Sequence, residues 1–178
     1  RAEATVGLRP LTDHNYDVNG FFLHPNRKRL LYFGVPVESR RQPYETLFEL
    51  DLDSGEQRQL VQAGQLAIHD AFYWQDRVIL VAADMAAYGF NQNPWLYIWD
   101  EAAGILKFSS RELHYGYSVG TDINYGKSLP RYVGADALYL IETHWHRAVL
   151  VQVLPQGEVI PLAQVQGSIT GLTQVDGD

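Results

Sequence analysis

One pattern recurs three times along the chain, and it limits the available folds more than any other feature. The run RLLYFGVPV (Arg29 to Val37) is followed by TLFELDLDSGE (Thr46 to Glu56). RVILVAADM (Arg77 to Met85) is followed by WLYIWDEAAG (Trp95 to Gly104), and ALYLIET (Ala137 to Thr143) by AVLVQVLPQG (Ala148 to Gly157). A short aromatic or small-residue segment precedes each pair: GFFLH, HDAFYW or SVGTDIN. A short outer segment follows each: QRQLV, ILKFSS or EVIPLA. These runs are rich in Val, Ile, Tyr and Phe and punctuated by Gly, Pro, Asn and Asp, the pattern of strands joined by tight turns. The one stretch open to a helical reading, Glu56 to Phe72, has Gly64 in its middle and no capping box before it. The chain therefore reads as nearly all β.

Aligning Leu47, Leu96 and Leu150 gives steps of 49 and 54 residues. Four strands per unit of about 40–50 residues is the repeat of a β-propeller blade, an antiparallel sheet with its first strand innermost. The expected fold is all-β, a propeller fragment of about three four-stranded antiparallel blades. The blades are placed at 17–63, 64–113 and 114–166, with 1–16 as the tail of a preceding blade and 167–178 as the start of a further one. Closed rings need at least about four blades, so an arc of a longer ring is expected. A single sandwich or barrel of a dozen short strands shares the alternation and is the alternative. The repeated strand order favours blades.

Composition narrows what such a chain does. Its 178 residues include no cysteine, which excludes disulfides, thiolate metal sites and thiol nucleophiles. With 14 Lys and Arg against 21 Asp and Glu the net charge is -7, which argues against nucleic acid or an anionic membrane as partner. No apolar run approaches the ~20 residues of a membrane-spanning helix, so a soluble, cytoplasmic protein is expected. Residue 1 is Arg, and no signal-type segment opens the chain, so a piece of something longer or a processed product is expected.

From Pro10 to Leu60 the chain reads PLTDHNYDVNGFFLHPNRKRLLYFG and then, after a loop, LFELDLDSGEQRQL. This resembles the blades of propeller domains in the prolyl oligopeptidase family of serine peptidases, and within it the acylaminoacyl-peptidase-like members. Such a blade runs from LT through a polar stretch and an aromatic strand to SPDGK, then a hydrophobic strand, then LY-x-x-D-x-x-x-G-E. Here HPNRKR departs from SPDGK, and the later blades follow in outline through LYIWDEAAG and LVQVLPQG. The resemblance implies a non-catalytic segment that gates peptide substrate for an α/β-hydrolase domain of the same parent chain, where Ser, Asp and His would lie. It implies no catalytic residue, metal or cofactor in this segment. The alternative is a stand-alone propeller that binds a protein or a carbohydrate.

Several motifs invite a chemical reading. Gly116 to Gly120, GYSVG, matches the G-x-S-x-G nucleophile elbow, which needs a strand before the serine and a helix after it. TDINYGKSLP follows instead, with Gly126 and Pro130 where the helix belongs, so Ser118 is expected on a small-residue inner strand. Asp122 and Asn124 would alternate along that strand as channel lining. His144 and His146 stand at i and i+2 with Glu142 in parity. A zinc site needs three or four ligands, and a hairpin turn here breaks parity, so a turn is expected. Asp51 and Asp53 resemble a fragment of a calcium loop but fit a hairpin turn better. Arg27, Lys28 and Arg29 are expected to solvate the first hairpin turn.

An attached hydrolase domain would face the connections between second and third strands, at Val35 to Tyr44, Met85 to Pro94 and Thr143 to Arg147. These carry Arg40, Arg41, Tyr88, Asn91, Asn93, His144, Trp145 and His146 as candidate substrate or interface residues. Paired arginines in a long loop suit a carboxylate. The expected partners are that domain, a peptide substrate and, through the apolar faces of the end blades, second copies of the chain.

Overall fold

Short alternating runs bounded by turn formers close into three antiparallel sheets, one after another along the chain. The structure is a computed structural model that describes residues 9–12, 15–38, 44–86, 89–108, 117–120, 129–163 and 165–173. The first sheet orders β1 (Tyr16–Leu23), β2 (Arg29–Pro36), β3 (Thr46–Asp51) and β4 (Gln57–Val61) from inside outward. The second repeats this with β5 (Ala67–Trp74), β6 (Arg77–Ala83), β7 (Trp95–Asp100) and β8 (Gly104–Lys107). The third holds β9 (Tyr117–Val119), β10 (Arg131–Val133), β11 (Leu138–His144), β12 (Arg147–Val153) and β13 (Val159–Ala163). No sheet borrows a strand from another, and the stretch from Glu56 to Phe72 forms β4 and most of β5. These are three consecutive blades of a β-propeller. Among the described residues the one helical element is a 3-10 turn at Gly89–Asn91, and no helix is long and apolar enough to cross a membrane.

The repeat is in register. Leu47, Leu96 and Leu150 pair with Phe33, Val81 and Ile141 on the neighbouring strand. Opposite that point the inner strand is irregular in every blade. Asn19 is an extra residue between the pairs Val18–Gly34 and Gly20–Phe33, and His69 is the same between Ile68–Ala82 and Asp70–Val81. In the third blade the described pairs Val119–Glu142 and Arg131–Leu140 flank Ile141, where pairing on that edge is interrupted. Its inner strand is therefore split into β9 and β10 on one edge of β11. This corrects the expectation that SVGTDIN forms that strand: β9 ends at Val119, RYV supplies the other half, and residues 121–124 lie outside the described residues. Gly34 answers the first bulge, because a Cβ there would collide with the Asp17 carbonyl.

Each blade offers one face to the next. Leu31, Phe33 and Leu47 of the first pack on Tyr73, Val78, Leu80 and Tyr97 of the second. Phe72, Ile79, Val81, Leu96 and Ile98 of the second pack on Leu138, Leu140, Val151 and Val153 of the third. Burying each of these large side chains contributes about 1.5–3 kcal/mol. A further cluster, Leu30, Tyr32, Phe48 and Leu50, lies on the far face of the first blade. Polar seams join the second blade to the third: Trp74 Nε1 donates to the Gly134 carbonyl at 2.9 Å, and Arg77 to that of Pro155 at 3.2 Å.

Candidate functional site

Of the candidate residues, those described are Asn91 and Asn93 on the β6–β7 connection and His144, Trp145 and His146 at the β11–β12 turn, at the same end of their blades. Alternation along β11 puts Leu138, Leu140 and Glu142 on the face toward the second blade. Glu142 is 4 % exposed, and a carboxylate so buried needs a partner. His144, two residues on, supplies one: its Nε2–H donates to Glu142 Oε2 at 2.6 Å. Trp95, at the start of β7, lines the same small cavity of about 10 Å³, and its buried indole N–H meets no acceptor among the described residues.

Trp145 and His146 form the two-residue turn between β11 and β12, closed by the pair His144–Arg147. Trp145 has φ +55° and is 56 % exposed. A bulky residue in the left-handed region is unusual, since glycine normally opens such a turn.

The β6–β7 connection is organised by Asp84, which accepts from the Ala86 amide at 3.0 Å and from the buried side-chain amide of Gln92. Burial, with the Asp84 charge, pushes the Tyr97 hydroxyl up to about 12. Asn91 is exposed and Asn93 half-buried. The Pro94 carbonyl accepts from the Val119 amide at 3.3 Å, and Val119 pairs with Glu142. Thus Asn93 and Pro94 adjoin the strands that carry Glu142 and His144. Arg40, Arg41, Tyr88, Asp122 and Asn124 lie outside the described residues. What this end offers is an imidazole fixed by a carboxylate, an exposed indole and side-chain amides, groups that stack on and hydrogen-bond a ligand.

Other sequence candidates have local duties. Ser118 is a ladder residue of β9 opposite Thr143, with no strand-to-helix turn at its own position. Asp51 Oδ1 accepts from the Asp53 amide at 3.0 Å, the Ser54 amide at 2.7 Å and the Ser54 hydroxyl at 2.9 Å. Chiefly the Ser54 amide holds its carboxyl below the ordinary value, so Asp51 builds a turn. Among the described residues no group of three or more His, Cys, Asp or Glu is placed to hold a metal ion.

Two charged clusters escaped the sequence reading. Arg29 does not solvate its turn; its guanidinium lies over the Tyr73 ring at 5.1 Å and reaches Glu49 at 3.4 Å and Asp76 at 3.1 Å. Glu49 also accepts from Tyr73 Oη at 2.7 Å and Arg58 at 2.9 Å, and Arg58 extends to Glu101 at 2.9 Å. His24 Nδ1 accepts from the Asn26 amide, so Nε2 carries the proton and donates to Asp76 at 2.9 Å. This network binds the first blade to the second along a groove of about 300 Å³. The second cluster lies between inner strands: Arg131 of β10 pairs with Asp70 of β5 and lies over the Phe72 and Phe22 rings, at 4.5 and 5.3 Å. Burial raises the Asp70 carboxyl and lowers the Arg131 guanidinium, with the attraction between them working the other way. One sequence signal was available: Arg29 and Arg77 both open the second strand of their blades.

No protein-family model and no curated protein sequence matches the chain. Solved structures share its fold. Puromycin hydrolase superposes with a TM-score of 0.64 at 17 % identity, over 92 % of this chain and 25 % of its own. Oligogalacturonate lyase in complex with manganese gives 0.60 at 13 %, over 85 % of this chain and 43 % of its own. TolB from Acinetobacter baumannii gives 0.53 at 12 %, over 85 % and 34 %. The chain spans 25–43 % of the length of these three structures. What is common to all of them at such identities is the β-propeller fold.

Proposed function

We propose that the chain is the propeller segment of a prolyl oligopeptidase-type, acylaminoacyl-peptidase-like serine peptidase of the cytoplasm. The segment itself is not catalytic. Its blade end with the Glu142–His144 pair and the exposed Trp145 faces an α/β-hydrolase domain of the same parent protein and selects the peptides that reach it. The observation that carries this reading is the superposition on puromycin hydrolase, which takes in 92 % of the chain against 85 % for the other two structures. The blade pattern from Pro10 to Leu60 supports it independently.

The test uses the full product of the gene that encodes this chain. A fluorophosphonate probe should label a serine outside residues 1–178, and acylated or free aminoacyl anilides should be hydrolysed. Alanine at Arg40 and Arg41 should raise KM more than it lowers Tm, because such residues contact substrate. Absence of both labelling and hydrolysis overturns the reading and leaves a propeller that binds a protein or carbohydrate.

A further inference from the structure

The chain has six asparagines, and Asn19 alone is followed by a glycine. That pairing has a chemical consequence. The backbone nitrogen after an asparagine can attack the side-chain carbonyl carbon when no Cβ on the next residue obstructs the approach. Asn93 precedes Pro94, which has no N–H, and Asn26 is held in a turn, its Oδ1 accepting from the Lys28 amide at 2.9 Å. Packing fixes the glycine at position 20, because a Cβ there would lie 2.7 Å from the buried Phe33 ring.

A regular strand protects such a pair by holding the backbone extended and the next N–H on the ladder. Here that protection is incomplete. Asn19 is the unpaired extra residue of the β1 bulge, and Gly20 rejoins the ladder opposite Phe33. β1 is hydrogen-bonded to β2 and to no other strand. The Asn19 side chain is exposed, and its one hydrogen bond among the described residues is long, from Nδ2 to Glu45 Oε1 at 3.4 Å. The other Glu45 oxygen, Oε2, accepts from the Ile68 amide of the second blade at 3.1 Å. One carboxylate thus joins Asn19 to the seam between the first two blades.

We propose that Asn19–Gly20 is a site of spontaneous covalent modification that rewrites this seam. The Gly20 nitrogen gives its proton to solvent and bonds to the Asn19 side-chain carbonyl carbon. The bond from that carbon to Nδ2 breaks, and Nδ2 takes a proton from water and leaves as ammonia. Water then opens the five-membered imide at either carbonyl, leaving an aspartate at position 19 or its isomer with the chain routed through the side-chain carbon. One water enters, one ammonia departs and nothing is oxidised. The product replaces a donor to Glu45 by a second carboxylate, so the contact turns from attraction to repulsion and the Glu45 hold on Ile68 weakens. The chemistry does not depend on whether the parent is a peptidase.

The test follows the parent protein in mildly alkaline buffer at body temperature, with tandem mass spectrometry locating each exchange of an amide NH2 for OH. Folded protein should react at Asn19 about tenfold or more faster than at Asn15 or Asn26. Its rate at Asn19 should lie within about tenfold of that in urea, because the bulge leaves the residue unpaired. A folded rate about a hundredfold or more below the rate in urea means the strand protects the pair, and overturns the proposal. The consequence is read separately by hydrogen exchange at the Ile68 amide. Exchange should quicken about tenfold in Asn19→Asp and stay near that of the parent protein in Asn19→Gln, which keeps the donor. Equal exchange in the two variants overturns the link from position 19 to the seam.

Discussion

Arg131 and Asp70 form an ion pair between the inner strands of two blades, with side chains only 12 % and 13 % exposed. The Phe22 and Phe72 rings beneath the guanidinium shield it from water. Removing either partner alone strands the other charge. Arg131→Met or Asp70→Leu should each cost about 3–5 kcal/mol in urea unfolding. The double variant should recover most of that loss, because two apolar side chains then fill the seam. Additive losses would show that the two residues act independently.

Glu49 joins Tyr73, Arg29 and Arg58 through its two oxygens. Glu49→Gln turns one acceptor into a donor aimed at an arginine, and should cost about 1–3 kcal/mol. The exposed end of the same network should matter little: Glu101→Gln, at an 82 % exposed side chain, should change urea stability by at most about 1 kcal/mol.

Trp145 sits in the left-handed region and is just over half exposed. Trp145→Gly or Trp145→Asn should therefore raise stability by about 1 kcal/mol, read as a higher Tm. If the proposed peptidase reading holds, the same changes raise KM in the parent protein. A residue that costs stability and can be replaced without loss of activity would be a turn and nothing more.

Alkaline unfolding should follow the buried tyrosines. Burial holds the proton on Tyr97 up to about 12, against 10.0 for a free tyrosine, and Tyr73 is pushed further up, first by burial and then by Glu49. Both bind the proton more tightly folded than unfolded. Their contribution is whole below pH 10; that of Tyr97 is lost as the pH rises through about 12, and that of Tyr73 persists to higher pH. Denaturant midpoints measured across this window should fall for the parent chain and fall less for Tyr97→Phe.

The parts of the fold that were legible in the sequence share one property: they are local and repeated. Leu47, Leu96 and Leu150 mark equivalent positions because each sits in a run long enough to show its period, and the ladder confirms the alignment. The parity of Glu142 and His144 is legible for the same reason. RYV was not: three residues carry no period, and β10 is a strand only because Leu138 to Leu140 lie opposite. Asp70 and Arg131 are 61 residues apart, and nothing near either one announces the other. Arg29 misled because a run of basic residues looks solvated, yet its third member already belongs to a strand that faces the next blade.

The irregularity shared by all three inner strands has a practical side. In the third blade the pairing of the inner edge breaks between Val119–Glu142 and Arg131–Leu140, where the first two blades carry a single extra residue, and its outer strands still pair as theirs do. The scaffold thus has a socket. A foreign peptide spliced in at Asn19 or His69 would enter where the hydrogen-bonding pattern is already interrupted, leaving the sheets around it undisturbed. The two bulges are matched positions on neighbouring blades from which new binding loops can be built.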